Sequence, residues 1–166
     1  DGDTAIKMLP YLDRGEEIFA YEPFPGNHRF FEGIDTRIRL IPKALSNAAE
    51  TKTLSVPSVV AEESAWGRLG MAGYSSAGHL VEGEPNGEHD LRIPCVAADT
   101  DVERDIGFVK LDLQGGELRA LQGMTRILHS AAFAWIEFLY GRNDPNPVYD
   151  FMIQNDYLIL DTGISV

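Results

Sequence analysis

Short apolar runs alternate with stretches of helical periodicity along most of this 166-residue chain. The runs are rich in β-branched and aromatic residues, as β-strands are. The predicted strands are Ile18–Tyr21, Ile38–Leu45 with a break at Pro42, Ile106–Leu113, Ala132–Leu139 and Tyr157–Leu160. Because strands and helices alternate, the pattern predicts the α/β class, with βαβ units and a largely parallel sheet.

Apolar residues at helical spacing predict the helices between these runs. A short helix is predicted over Thr4–Leu12, with Thr4 as its N-cap and Pro10 limiting its length. Two later helical faces consist of Leu118, Leu121, Met124, Ile127 and Leu128, and of Val148, Phe151 and Met152. A crossover helix needs a strand in front of it, and a doubly wound sheet without its central strand would expose an apolar slot. We therefore expect a further strand upstream of Asp1.

The stretch Pro57–Pro94 differs from the rest of the chain, because it is rich in Gly, Ser, Glu and Ala and shows no clear periodicity. Loops of this length are usually either functional or disordered. Since 166 residues support one sizeable core, we interpret residues 1–166 as a single domain and Pro57–Pro94 as an insertion or lid. Its aromatic residues Trp66 and Tyr74 could stack on a sugar or fill the lid's own core.

Composition and charge narrow the function classes. Hydrophobic residues make up 44% and charged residues 24%, close to the averages for soluble globular proteins. No apolar run approaches the roughly 18 to 20 residues needed to cross a bilayer, and no signal-peptide pattern opens the chain, so we expect a cytoplasmic protein without a membrane segment. The net charge of −12 disfavours a nucleic-acid partner.

Cysteine and histidine point to neither a disulfide nor a metal. The single Cys95 cannot form an internal disulfide and has no CxxC neighbour, so we interpret it as a small apolar strand residue. The four histidines are scattered and form no metal-binding pattern.

A glycine turn followed by an acid marks the first candidate site. Asp1-Gly2-Asp3-Thr4 opens the first predicted helix, and Glu22 ends the next strand 20 positions after Gly2. Nucleoside cofactors of doubly wound folds need this combination, because the turn lets a helix N-terminus approach the ligand and the acid hydrogen-bonds the ribose hydroxyls. The alternative is a solvated Glu22 without a ligand.

The second candidate site lies where the third predicted strand passes into a helix. Lys110 and Asp112 share one face at the carboxyl end of this strand, where ligands of open α/β sheets bind. Burying them there costs free energy unless they serve a ligand or form a structural ion pair. Glu137, inside the apolar fourth strand, needs a partner too, either at a functional site or as a core pair with Lys110.

Six motifs follow one another along the chain. They are Gly2-Asp3-Thr4, Ala20-Tyr21-Glu22-Pro23-Phe24-Pro25, Ala44-Leu45-Ser46, Phe108-Val109-Lys110-Leu111-Asp112-Leu113-Gln114-Gly115-Gly116-Glu117-Leu118, Leu121-Gln122-Gly123 and Ile136-Glu137. In order and spacing the chain resembles FkbM-type methyltransferases, whose motifs read roughly GANxGDT, FEPxP, ALS, FxKxDxEGxExxxLxG and a strand ending in Glu. The pair Ser75-Ser76 in the long loop is also similar to a serine pair of the family.

The resemblance implies a Rossmann-like class I methyltransferase fold, with strand order 3-2-1-4-5-7-6 and helices on both faces of a mostly parallel sheet. It also implies S-adenosylmethionine as cofactor and, usually, O-methylation of a hydroxyl on a sugar, polyketide or other small molecule. Carried over by position, Asp1, Gly2, Asp3 and Thr4 would lie by the methionine end of the cofactor. Glu22 would bind its ribose, and Asp112 would face the methyl group and the acceptor.

Methyl transfer mainly requires that two substrates are aligned and water is excluded, and a hydroxyl acceptor must also lose its proton. Asp112 is the candidate base, with Lys110 or Glu137 setting its ionisation. The chain departs from the family in lacking the GAN half of the first motif and in having Gln114 where Glu is usual.

The departure at Gln114 favours an alternative in which the same fold serves as a non-catalytic binding or interaction module. A nicotinamide-dependent oxidoreductase would share Glu22 and the glycine turn. The segment Lys110–Glu117 gives that third interpretation no support.

Overall fold

Helices and short strands alternate along the chain in this computed structural model, which describes residues 3–60, 73, 75–138 and 144–160. The elements are α1 (Asp3–Met8), β1 (Ile18–Tyr21), α2 (Pro25–His28), β2 (Ile38–Ile41), β3 (Ala44–Leu45), β4 (Glu50–Ser55), β5 (His79–Val81), β6 (Leu91–Val96), α3 (Ala98–Asp101), β7 (Phe108–Leu111), α4 (Glu117–Gln122), α5 (Thr125–Ser130), β8 (Phe133–Ile136) and α6 (Asn146–Gln154). The predicted α/β class is confirmed.

The strands of this part of the chain form three sheets. β1 pairs with β2 in parallel, Ile18 opposite Ile38, and β7 pairs with β8 in parallel, Phe108 opposite Phe133. The third sheet, which we call the mixed sheet, has the order β3-β6-β4-β5, and in it only the β3–β6 pair is parallel. The prediction of a largely parallel sheet was therefore only partly correct, because the antiparallel pairs all come from residues 50–96.

β1 and β7 line one cavity along their whole length, and no described strand lies between them. The carboxyl end of each strand opens into this cavity, so the residues that follow the two strands meet there. The strand that we expect upstream of Asp1 lies outside the described residues and stays a prediction.

The first predicted helix is present but begins earlier than expected. α1 starts at Asp3, so Thr4 lies in its first turn and the prediction of Thr4 as N-cap was wrong. The 3-10 helix Leu9–Tyr11 continues α1 and carries Pro10 near its start, in agreement with the predicted end of the helix.

Proline and glycine divide two of the other predicted elements. Pro42 splits the second predicted strand into β2 and β3, which belong to different sheets, because proline has no N–H to donate to a ladder. The helical face after the third strand is shared by α4 and α5, which meet at Gly123 and Met124.

The stretch Pro57–Pro94 was expected to lack regular structure, and this was wrong in part. β5 lies within it and β6 begins within it, while β4 ends just before it. β5 has three residues and β4 reads Glu-Thr-Lys-Thr-Leu-Ser, so neither gives the apolar alternation of a typical strand. Trp66 and Tyr74 lie outside the described residues.

Tyr157–Leu160 was predicted as a strand, but pairs with no strand in the described part of the chain. Tyr157 and Ile159 pack against the core, whereas Leu158 and Leu160 are exposed, so burial alternates as in a strand without a ladder. The Tyr157 hydroxyl oxygen lies 2.6 and 2.8 Å from the carbonyl oxygens of residues 128 and 131, so its one hydrogen can donate to either, which ties the segment to the end of α5 instead.

The main core lies between the β7–β8 pair and helices α4, α5 and α6. Its most buried members are Leu111, Ala120, Leu121, Met124 and Leu128, each at most 2% exposed. Packing of this kind fixes β7 and the turn after it, and thus the position of Asp112. A second cluster under the mixed sheet includes Cys95, which is buried in β6 as predicted.

The opposite face of the β7–β8 pair is partly exposed and carries three aromatic rings beside Lys110. Phe108 and Phe133 stack with ring centroids 5.9 Å apart, and Trp135 lies two residues further along β8. The longest described helix, α6, has nine residues, and none of the described helices has the length and apolarity to cross a membrane.

Candidate functional site

A cavity of about 920 Å³ is lined by β1 and β7 along their whole length and, at their carboxyl ends, by the residues that follow them. Its volume is within the range of small-molecule sites. Thr4, Glu22, Lys110, Asp112 and Gln114 all line it, so the structure brings the two candidate sites of the sequence into one space. Of the other predicted residues, Asp1 and Gly2 lie outside the described part of the chain, as does the side chain of Asp3.

The Glu22 carboxylate is held by two neighbours that follow it in sequence. Oε1 accepts the backbone N–H of Phe24 at 3.0 Å, and Oε2 accepts an amide hydrogen of Asn27 at 2.9 Å. The Glu22 main chain is also fixed, because its N–H donates to the Ile41 carbonyl at 3.1 Å and its own carbonyl lies 2.8 Å from Nε2 of His28. The carboxylate therefore has a defined orientation at the carboxyl end of β1.

Asn27 is a site residue that the sequence analysis missed. It is 2% exposed, although it lies in the short helix α2, whose other residues are all partly or fully exposed. Besides its bond to Glu22, its amide donates to the Ser75 carbonyl at 2.8 Å and accepts the Ser75 N–H at 3.1 Å. Its position five residues after a strand-ending acid was the signal available in the sequence.

Lys110 lies between two carboxylates. Its Nζ is 3.5 Å from Oδ2 of Asp112 and 3.5 Å from Oε2 of Glu137, which directly follows β8. The ion pair with Asp112 and the pair with Glu137, both considered from the sequence, are thus present together. All three side chains keep 28–37% of their surface exposed, so these pairs contribute little to folding stability. They set the direction of the Asp112 carboxylate at the end of β7.

The turn after β7 has an unusual backbone. Gln114 adopts a φ of 55° and Gly115 a φ of 112°, in the left-handed region. A non-glycine residue in this conformation costs about 1 kcal/mol. The Gln114 side-chain amide donates to Oδ1 of Asp112 at 2.8 Å. The Glu117 carboxylate, 4% exposed, holds the turn by accepting the N–H groups of Leu113 and Gly115 at 3.0 and 3.1 Å.

A phenol also lines the cavity at the end of β1. Tyr21 donates to Oδ2 of Asp101 at 3.0 Å, and the other oxygen of Asp101 binds Nζ of Lys43 at 2.5 Å. Burial, together with the Asp101 carboxylate, raises the pKa of Tyr21 well above its usual value. Tyr21 therefore stays protonated and acts as a hydrogen-bond donor. The described residues contain no group of three His, Cys, Asp or Glu side chains suited to a metal ion.

The sequence model of the methyltransferase FkbM domain matches residues 1–159. The chain belongs to this family. Among solved structures it is similar to the methyltransferase FkbM from Methylobacillus flagellatus KT, with a TM-score of 0.54 and 13% identity. That match covers 92% of this chain but only 34% of the other protein, so the chain spans about a third of its length, and at this identity the likeness shows the fold alone. No curated protein sequence matches the chain.

Two motifs of the FkbM domain meet in space at a single glycine. A Cβ added to Gly123 would lie 2.1 Å from the carbonyl oxygen of Ser46, so the end of α4 packs directly on the main chain after β3. Asp99 fixes the same junction, because its N–H donates to the Gly123 carbonyl at 3.0 Å. The motifs Ala44-Leu45-Ser46 and Leu121-Gln122-Gly123 thus form one packing contact.

Proposed function

We propose that this FkbM domain is part of an S-adenosylmethionine-dependent methyltransferase that uses the end of this cavity where the residues after β1 and β7 meet. The observation that carries the proposal is that Glu22 and Asp112, each following a parallel strand, line the same cavity. The same arrangement supports a Rossmann-like class I fold, with the β2–β1 and β7–β8 pairs on either side of a central strand.

The residues present fit a nucleoside cofactor. A carboxylate held by Phe24 and Asn27 is oriented before any ligand arrives, which lowers the entropy cost of accepting hydrogen bonds from ribose hydroxyls. We assign Glu22 this role, and Asp1, Gly2, Asp3 and Thr4 the methionine end, which is supported by Thr4 lining the cavity. When bound, S-adenosylmethionine supplies a methyl group on a sulfonium centre.

For the chemical step we propose Asp112 as the base that accepts the proton of an acceptor hydroxyl. Lys110 lies 3.5 Å from this carboxylate and also from Glu137, so it orients the Asp112 carboxylate at the end of β7. The acceptor that we propose is a hydroxyl of a small molecule or sugar. The net charge of −12 supports this choice over nucleic acid.

Calorimetric titration of the full-length protein with S-adenosylmethionine tests the cofactor. We expect the Glu22→Ala variant to bind about tenfold or more weakly, because hydrogen bonds to a charged group are lost. Glu32→Ala is the matched control, since Glu32 is exposed and does not line the cavity. Absence of binding by the unaltered protein, or equal loss in the two variants, would refute the assignment.

A non-catalytic binding module is the second candidate, and one observation favours it. The Gln114 amide occupies Oδ1 of Asp112 at 2.8 Å, at the position where the family resemblance implies an acid. The two candidates differ in methyl transfer to a panel of hydroxyl compounds. Transfer that is lost in Asp112→Asn would support the enzyme with Asp112 as base, and transfer that is unchanged would end that role. Cofactor binding without any transfer would support the module.

A further inference from the structure

Asn27 connects the carboxyl end of β1 with the chain that leads into β5. We define the Ser75 segment as residues 75–78, which run directly into β5. Both hydrogens and the oxygen of the Asn27 amide take part in hydrogen bonds. One hydrogen binds the Glu22 carboxylate, the other binds the Ser75 carbonyl, and the oxygen accepts the Ser75 N–H. A buried amide with all of these bonds made holds its partners firmly, since breaking any bond would leave a polar group unpaired.

A second close contact joins α2 to the same part of the chain. A Cβ added to Gly26 would lie 2.6 Å from the carbonyl oxygen of Gly73. Gly26 therefore lets the two main chains approach closely, one residue before Asn27. Two successive residues of α2 thus contact the chain on either side of residue 74.

The connection spans two sheets that share no strand. β1 belongs to the β1–β2 sheet and β5 to the mixed sheet, and the two do not pair in the described part of the chain. Glu22, Asn27, Ser75 and Ser76 nevertheless line the same cavity. A ligand held by Glu22 would therefore lie beside the Ser75 segment, with Asn27 bonded to both.

We propose that Asn27 is a positioning residue that couples the Glu22 carboxylate to the Ser75 segment. A ligand that binds Glu22 then also stabilises the Ser75 segment further, and a stabilised segment improves binding at Glu22 by the same factor. The ligand side of this proposal rests on the proposed function. The coupling between Asn27, Glu22 and Ser75 is a property of the ligand-free protein and can be measured without a ligand.

The test uses amide hydrogen exchange, followed by mass spectrometry, in the full-length protein. Asn27→Asp keeps the size and the acceptor for the Ser75 N–H but replaces two donors by an oxygen that faces Glu22 and the Ser75 carbonyl. We expect exchange in peptides covering the Ser75 segment to become about tenfold faster or more. Asn47→Asp is the matched control, because Asn47 is exposed and its amide makes two long bonds, donating to Gln122 at 3.4 Å and accepting from the Ser46 hydroxyl at 3.5 Å.

Two further variants test the coupling by changing Glu22. Glu22→Ala removes the acceptor of one Asn27 hydrogen, so exchange of the Ser75 segment should rise there too. The double variant Asn27→Asp/Glu22→Gln offers the new carboxylate a donor at position 22 but none at the Ser75 carbonyl, so exchange should be slower than in Asn27→Asp and still faster than in the unaltered protein. If Asn27→Asp does not fold, Glu22→Ala decides alone, because Glu22 is only half-buried.

The outcomes separate the two proposals. S-adenosylmethionine should slow exchange of the Ser75 segment in the unaltered protein and in Asn47→Asp, and not in Asn27→Asp. Exchange that responds to both Asn27→Asp and Glu22→Ala, without any S-adenosylmethionine binding, would support the coupling while the proposed function fails. Exchange in folded Asn27→Asp or Glu22→Ala that matches Asn47→Asp would overturn the coupling, whatever the protein binds.

Discussion

Replacing Gly123 by alanine would place a methyl group against the main chain that follows β3. The added carbon would lie 2.1 Å from the Ser46 carbonyl oxygen and 3.0 Å from both the Ser46 carbonyl carbon and Cα of Asn47. Gly123 has a φ of −89°, which any residue can adopt, so the obstacle is space and not backbone conformation. Ser46 is fully buried, and its N–H donates to Val96 at 2.9 Å, so the main chain there cannot easily move away.

The expected loss follows from the movement required. Non-bonded atoms prefer separations of about 3.5 Å, so the end of α4 and the main chain after β3 must move apart by about 1 Å or more. Overpacking of this kind costs about 1 to 3 kcal/mol, and a weakened hydrogen bond between Asp99 and Gly123 adds about 1 kcal/mol. We expect the free energy of unfolding to fall by about 3 kcal/mol, which for a domain of this size lowers Tm by about 6 to 12 °C.

Urea unfolding followed by circular dichroism measures this difference, with Gly107→Ala as the matched control. A Cβ at Gly107 would meet no atom within 4 Å, and its φ is not in the left-handed region. The control should therefore stay within about 1 kcal/mol of the unaltered protein. If both alanine variants unfold at the same urea concentration, the packing argument for Gly123 is refuted.

Three further predictions use simpler measurements. Leu121→Ala, at a fully buried position, should lower the free energy of urea unfolding by about 3 kcal/mol, whereas Leu158→Ala, at an 85% exposed position, should change it by less than about 0.5 kcal/mol. The backbone N–H groups of Val56, Gly87 and Asn86 lower the pKa of Asp90, so the stabilisation that this carboxylate provides is present above pH 3.8 and lost as the pH falls further. The Tm difference between the unaltered protein and Asp90→Asn should therefore shrink in acid, and a constant difference would contradict this. Burial raises the pKa of the Cys95 thiol, so a disulfide reagent should react slowly with the folded protein and rapidly in urea, and equal rates would contradict its burial.

The strands that the sequence predicted well are those whose apolar residues pack locally in βαβ units, such as β1 and β7. β4 was missed because its stability depends on distant partners. Its Lys52 is 7% exposed and binds Glu82 at 2.5 Å, while Glu50 lies 3.8 Å away. A strand with a buried lysine looks polar in sequence, and only the folded chain supplies the acids that compensate it.

The candidate site, too, could be predicted from the sequence only in part. That Lys110, Asp112 and Glu137 lie together could be predicted, because the carboxyl ends of neighbouring parallel strands meet at one edge. The bonds of Asn27 to Ser75 and of Glu117 to the turn just before α4 could not, since their partners are backbone groups, which leave no signal in residue type.

The mixed sheet has a consequence for how this domain folds. Its β3–β6 pair joins Ala44 to Cys95, 51 positions apart, whereas Ile18 and Ile38 of the β1–β2 pair are 20 apart. Closing the longer loop costs about 0.8 kcal/mol more chain entropy before any contact forms, and pairings between distant residues slow folding. We therefore expect the parallel β1–β2 pair to form early and the mixed sheet to form late. β5, the strand that the Ser75 segment enters, would then be among the last parts of a newly made chain to be protected from proteases.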